Sequence, residues 1–121
     1  MDLEMLPYSL SVCKLRKLTD HVPSGGFFFL ANTGDEISLV CPAADVPEGA
    51  YVREDGWRAF RIAGTLEFSL VGILSRLSTT LAEKGIGLFA VSTYDTDYIL
   101  VKERDLGMAE KALNDAGYRF K

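Results

Sequence analysis

Between residues 57 and 120 the apolar residues change from strand spacing to helix spacing and back, twice, and this succession limits what the chain can fold into. Residues 57–63 alternate, with Arg58 and Arg61 set among Trp57, Ala59, Phe60 and Ile62, which predicts a strand. From Ser69 onward, Leu70, Val71, Ile73, Leu74, Leu77 and Leu81 recur at three- and four-residue steps, one stripe of an amphipathic helix. Lys84 suits the negative end of that helix dipole, and Gly85 suits the left-handed position that closes a helix. Residues 86–93 predict a second strand, 94–97 a turn and 98–102 a third strand. Asp105 is the expected N-cap of a second helix that buries Leu106, Ala109, Leu113 and Ala116 and stops at Gly117, and 118–120 form a short last strand.

Strand, helix, strand, strand, helix, strand is the ferredoxin-like βαββαβ order, in which both helices cover one face of the sheet. The first half carries a weaker copy of it. Residues 8–14, 26–33 and 36–41 read as strands around the run Phe27, Phe28, Phe29, which alternation would bury on both sides. Where the helices would stand there are two short, Pro-bounded segments, 20–23 and 42–45. The expected fold class is therefore α+β, two ferredoxin-like units in tandem, residues 1–56 and 57–121, the first with reduced helices. An alignment with one gap agrees, matching Thr33 with Thr93, Glu36 with Asp97, Leu39 with Leu100 and Val40 with Val101.

Composition removes several function classes. With 13 Lys+Arg against 17 Asp+Glu the net charge is −4 and no basic patch is present, which argues against a nucleic-acid partner. Cys13, Cys41 and His21 are too few for a zinc site unless carboxylates complete it, so no metal is expected. Both cysteines stand among apolar neighbours and read as packed thiols, with a bridge between them as the alternative. No apolar run approaches the ~20 residues of a membrane helix, and residues 1–7 lack a basic, then apolar, leader; a cytoplasmic chain without a membrane partner is expected. There is no nucleophile elbow, Walker loop or dinucleotide fingerprint, so neither an enzyme nor a cofactor is expected.

Two strings carry a family resemblance. The stretch from Gly64 through Glu67 and Ser69 to Leu74, followed by Ser92-Thr-Tyr-Asp-Thr-Asp-Tyr-Ile-Leu-Val-Lys102, resembles the paired-ACT-domain proteins of bacteria, whose family includes the ACT modules of the arginine sensors upstream of the TOR kinase. Leu39-Val-Cys-Pro42, Val46-Pro-Glu-Gly49 and Gly56-Trp-Arg58 agree in order, and the resemblance spans roughly residues 8–120. It departs at residues 23–27, where typical members carry Pro-x-Trp. The resemblance implies two ACT units side by side, a non-catalytic regulatory role, and a small ligand, an amino acid, held at an ACT–ACT interface near the loop from first strand to first helix. Here that loop is 65–72. A carboxylate near the second and third strands, which holds a cationic ligand group in the arginine sensors, would be Asp97.

The chemistry of these residues suits such a ligand. A helix start exposes about four backbone N–H groups without intrahelical partners, which attract a carboxylate. Ser69, Leu70, Val71 and Gly72 stand at that start, and Gly72 would let a ligand or another backbone approach closely; the structural alternative is that Ser69 caps the helix and Gly72 permits packing on the sheet. Thr93, Tyr94, Thr96 and Asp97, with Asp95 between them, would supply oxygens for an ammonium, or else simply cap their own turn. A homo-oligomer, most simply a dimer, would cover open strand edges and bring the interface together. The competing expectation is a structural or protein-interaction module that has lost the ligand.

Overall fold

The computed structural model describes residues 1–18, 26–63 and 72–121. In chain order it contains β1 (Asp2–Met5), β2 (Leu10–Leu15), β3 (Phe29–Asn32), β4 (Ile37–Pro42), β5 (Ala50–Ile62), α1 (Ile73–Ala82), β6 (Leu88–Ser92), β7 (Asp97–Lys102), α2 (Leu106–Asp115) and β8 (Arg119–Phe120), with single 3-10 turns at Ala43–Asp45 and Glu103–Asp105. The expected helical turn at 20–23, with His21, and the expected start of α1, with Ser69, Leu70 and Val71, lie outside the described residues. The described chain forms two compact units, Tyr8–Trp57 and Met1–Pro7 together with Arg58–Lys121. β5 lends its first part to one and its last part to the other.

In the unit Tyr8–Trp57 the strand order is β3, β4, β2, β5, with every pair antiparallel. Successive side chains of a strand point to opposite faces, so Cys13 and Leu15 of β2 join Leu39 and Cys41 of β4 in one buried cluster, which Phe28, Ile37, Val46 and Ala50 cover. Both cysteines are free thiols. The three phenylalanines are half-buried, not buried on both sides. Phe28 packs on the cluster, while Phe27 stacks on Tyr8 at 5.1 Å and meets Phe29 edge-on at 5.0 Å.

The other unit has the order β6, β7, β5, β1, β8. Its core gathers Leu3, Phe60, Ile62, Ile99 and Val101 from strands. α1 adds Ile73, Leu77 and Leu81, and α2 adds Ala109 and Leu113. The α1 residues recur every four positions, the spacing that keeps one helical face on a sheet. In α2 the buried stripe runs through Ala112, and the expected Ala116 is exposed at the helix end. Asp105 holds the N-cap position, but its carboxylate makes no capping bond.

Two strand assignments are corrected. β1 lies beside β5, antiparallel, and beside β8, parallel, with Glu4 opposite Arg61 and 3.1 Å from it. Residues 1–7, expected with 8–56, thus pack with Arg58–Lys121. Four residues are too few to display a period, which hid β1 from the pattern. β5 begins at Ala50, not at 57, and spans 13 residues. Arg53, Glu54 and Asp55 are exposed there, so no buried alternation marks the strand; the pairing of Cys13 with Arg53 and of Val12 with Glu54 holds it.

The two hairpins share a register. Phe29, Leu30, Ala31 and Asn32 face Val40, Leu39, Ser38 and Ile37. Phe89, Ala90, Val91 and Ser92 face Leu100, Ile99, Tyr98 and Asp97, each pair 60 positions further along. β4 and β7 also have the same succession of burial along their six residues. The gap in the sequence alignment is therefore unnecessary: Leu39 corresponds to Ile99 and Val40 to Leu100. Identity of Leu-Val pairs drew the alignment one residue off, whereas burial and hydrogen bonding keep the true register.

Candidate functional site

The turn that joins β6 to β7 is built from its own polar groups. The Thr93 N–H donates to the Thr96 carbonyl at 2.9 Å, the Thr93 hydroxyl donates to the same oxygen at 3.1 Å, and the Thr96 N–H donates back to the Thr93 hydroxyl at 3.3 Å. Across its base the Ser92 hydroxyl donates to Asp97 Oδ1 at 2.6 Å. Thr96 is 3% exposed, and its hydroxyl donates to the Ile62 carbonyl at 2.9 Å. Tyr94 is 84% exposed. Asp95 is exposed as well.

The bond from Thr96 fixes the location of the turn. Ile62 ends β5, so Thr96 holds the 93–97 turn at the end of that strand. Ser69, Leu70 and Val71 belong to the undescribed part of the approach to α1. Gly72, its last residue, holds the N-cap position at φ +83° and ψ 3°. An L side chain rarely adopts that backbone. A Cβ there would lie 3.1 Å from Arg76 Nη1, the flexible end of a side chain, so the left-handed backbone is the stronger requirement for glycine.

The first turn of α1 also borders a cavity of about 270 Å3, lined by Ile73, Arg76, Met1 and the 116–118 segment after α2. Arg76 is exposed, and its guanidinium gives this corner a cation. Sequence reasoning missed Arg76, Ser92 and the Ile62 carbonyl. Ser92 could have been found as the residue that faces Asp97 across the base of the hairpin; Arg76 lay among ordinary helix-surface charges.

Elsewhere the chemistry is quieter. Burial pushes the Cys41 thiol up to about 11 and raises that of Cys13, which keeps both thiols protonated at neutral pH. Among the described residues no three His, Cys, Asp or Glu side chains are grouped to hold a metal ion, and no helix is long and apolar enough to cross a membrane.

A family model described as an ACT domain matches residues 52–115, more than half of the chain. Among solved structures, a protein from Agobacterium tumefaciens is 31% identical, with a TM-score of 0.86 over 99% of this chain and 91% of that one. A Vibrio cholerae protein of unknown function superimposes with a TM-score of 0.69 at 18% identity, over 94% of this chain and 88% of its own. The aspartate kinase of Clostridium acetobutylicum, described as an allosteric enzyme, gives 0.68 at 14% identity, over 94% of this chain and 33% of that enzyme. The latter two likenesses concern the fold alone. No curated protein matches the sequence.

Proposed function

Because the chain belongs to the ACT domain family, whose members are regulatory modules that generally bind amino acids, we propose that it is a non-catalytic regulatory module that binds a small ligand, an amino acid, at an ACT–ACT interface of a dimer. The observation that supports this reading is the Thr96 to Ile62 bond, which holds the 93–97 turn at the end of β5. In the proposed site the N–H groups of the first turn of α1, with Ser69, Leu70 and Val71 before Gly72, meet the ligand's carboxylate, and Asp97, Thr93, Tyr94 and Thr96 face its ammonium. Arg76 adds a cation on the carboxylate side. The two hairpins, 60 positions apart with one register, support a tandem of ACT units in which the first is a reduced copy. Ligand binding shifts the arrangement of the units only by its difference in affinity for the alternatives.

One observation favours the second reading, a structural ACT module without a ligand. Thr93, Thr96 and one oxygen of Asp97 already have partners within the protein. Calorimetry and thermal shift with each of the twenty amino acids at millimolar concentration separate the two. A ligand present at ten times its Kd stabilises the folded state by about 1.4 kcal/mol, which a thermal shift resolves. A flat response to all twenty would overturn the ligand reading, and sedimentation as a monomer at high micromolar concentration would overturn the dimer.

A further inference from the structure

The cavity of about 270 Å3 beside the first turn of α1 has a single charged side chain in its lining, Arg76. Met1, Ile73 and Tyr118 give it apolar and aromatic walls, and the small residues Ala116 and Gly117 leave it open at the end of α2. All six residues belong to the unit formed by Met1–Pro7 and Arg58–Lys121. Sites for drug-sized ligands run to roughly 300–1,000 Å3, so a cavity just below that range suits a smaller molecule.

Local geometry aims the one charge. Helical side chains lean toward the N-terminus of their helix, and Arg76 Nη1 lies 3.1 Å from the place that a Cβ on Gly72 would take. The guanidinium therefore reaches back over the start of α1, where the helix dipole is positive as well. Among the described residues no ion pair and no side-chain hydrogen bond engages it.

The acidic side chains nearest in sequence to the lining are already engaged. Asp2, next to Met1, pairs with Lys121 at 3.0 Å, and that bond holds its carboxyl below the usual carboxylate range. Asp115, next to Ala116, pairs with Lys111 at 3.0 Å. At the end of α2 the carbonyls of Ala112, Leu113 and Asn114 accept from the N–H groups of residues 116–118 at 3.0–3.2 Å. A ligand's ammonium thus meets no acidic side chain in the lining, whereas a carboxylate meets a guanidinium and a hydrocarbon tail meets apolar walls.

We propose that this cavity binds a short apolar monocarboxylate without an ammonium group, its carboxylate on Arg76 and its tail against Ile73, Tyr118 and Met1. Such a ligand differs from the amino acid of the site above and shares Arg76 with it, so the two compete for that side chain. Because the guanidinium is exposed, binding weakens as ionic strength rises.

The test follows backbone resonances of the 15N-labelled full chain during titration with three compounds of one carbon skeleton: 4-methylpentanoate, leucine, which adds the ammonium, and 4-methylpentanamide, which lacks the charge. The expected result is shifts at residues 73–76 and 116–118 with 4-methylpentanoate, with leucine weaker there by about fivefold or more and 4-methylpentanamide without effect. Arg76→Gln should weaken 4-methylpentanoate by about fivefold or more, as loss of one exposed charge contact allows. Ala116→Leu, which narrows the cavity and keeps the cation, should weaken it as well. Both positions are exposed, and the backbone spectrum of each variant verifies its fold. No shift at 116–118 with 4-methylpentanoate, equal binding by Arg76→Gln, or leucine bound at 116–118 as tightly as 4-methylpentanoate would overturn the proposal. An amino-acid response at 93–97 with none at 116–118 from any of the three compounds would overturn it and leave the amino-acid reading standing. A 4-methylpentanoate response at 116–118, without any amino-acid response at 93–97, would support it and remove the amino-acid reading.

Discussion

Replacing Thr96 by valine removes one hydroxyl at nearly constant shape, so its effect isolates the bond that holds the 93–97 turn to β5. That hydroxyl is buried and donates to the Ile62 carbonyl at 2.9 Å. A hydrogen bond of this kind contributes about 0.5–1.5 kcal/mol net, and leaving the buried carbonyl without its donor raises the cost to about 1–3 kcal/mol, part of which the added apolar methyl offsets. The sum is a destabilisation of about 1–2 kcal/mol. Unfolding entropy of about 2.1 cal/mol/K per residue, over 121 residues, gives roughly 0.25 kcal/mol/K, so Tm should fall by about 4–8 °C. Scanning calorimetry of the wild type and the variant reads this directly. Tyr94→Ala, in the same turn but 84% exposed, is the control and should stay within about 0.5 kcal/mol. A Thr96→Val variant that melts within 2 °C of the wild type would refute the argument, since the turn would then be held by its internal bonds alone.

Two further perturbations follow from the same geometry. Gly72→Ala should cost about 1–2 kcal/mol in urea denaturation through the left-handed backbone, and Gly72→Asn less, because Asn tolerates that region better; equal losses would point to packing against Arg76 instead. Cys41, raised by burial from 9.0 to about 11, makes stability fall as pH rises, because the unfolded chain releases the thiol proton first and is favoured from pH 9 upward until the folded thiol titrates too. At 1.36 kcal/mol per unit this amounts to roughly 2–3 kcal/mol by pH 11, read as the pH slope of the urea midpoint. Cys41→Ala should flatten that slope, and an unchanged slope would refute the assignment.

The helices, the hairpin of β6 and β7, and the glycine that closes α1 were legible because each rests on local physics. The spacing of Ile73, Leu77 and Leu81 requires one face on a core, and Gly85 at φ +72° ends the helix as its position suggested. The Thr33 and Thr93 turns were likewise visible as repeated strings, since each hydroxyl bonds within its own turn. Residues 1–5 and 50–56 were not legible. β1 is a strand because Leu3 sits opposite Ile62 and Glu4 opposite Arg61, and Arg53 to Asp55 are in a strand because β2 lies alongside. At the candidate site the residue types could be named in advance, but not which of their atoms were already engaged.

By itself the amino-acid sequence determined the βαββαβ succession of residues 57–120, the family, and the acidic balance that disfavours nucleic acid, because period, caps and charge act over a few residues or over the whole composition. Only the tertiary structure decided that the first strand enters the sheet beside β5, that Thr96 ties its turn to Ile62, and that β5 begins as early as Ala50. Those outcomes depend on pairing between residues tens of positions apart, and strand register and buried hydrogen bonds are set only when the partner strand is in place.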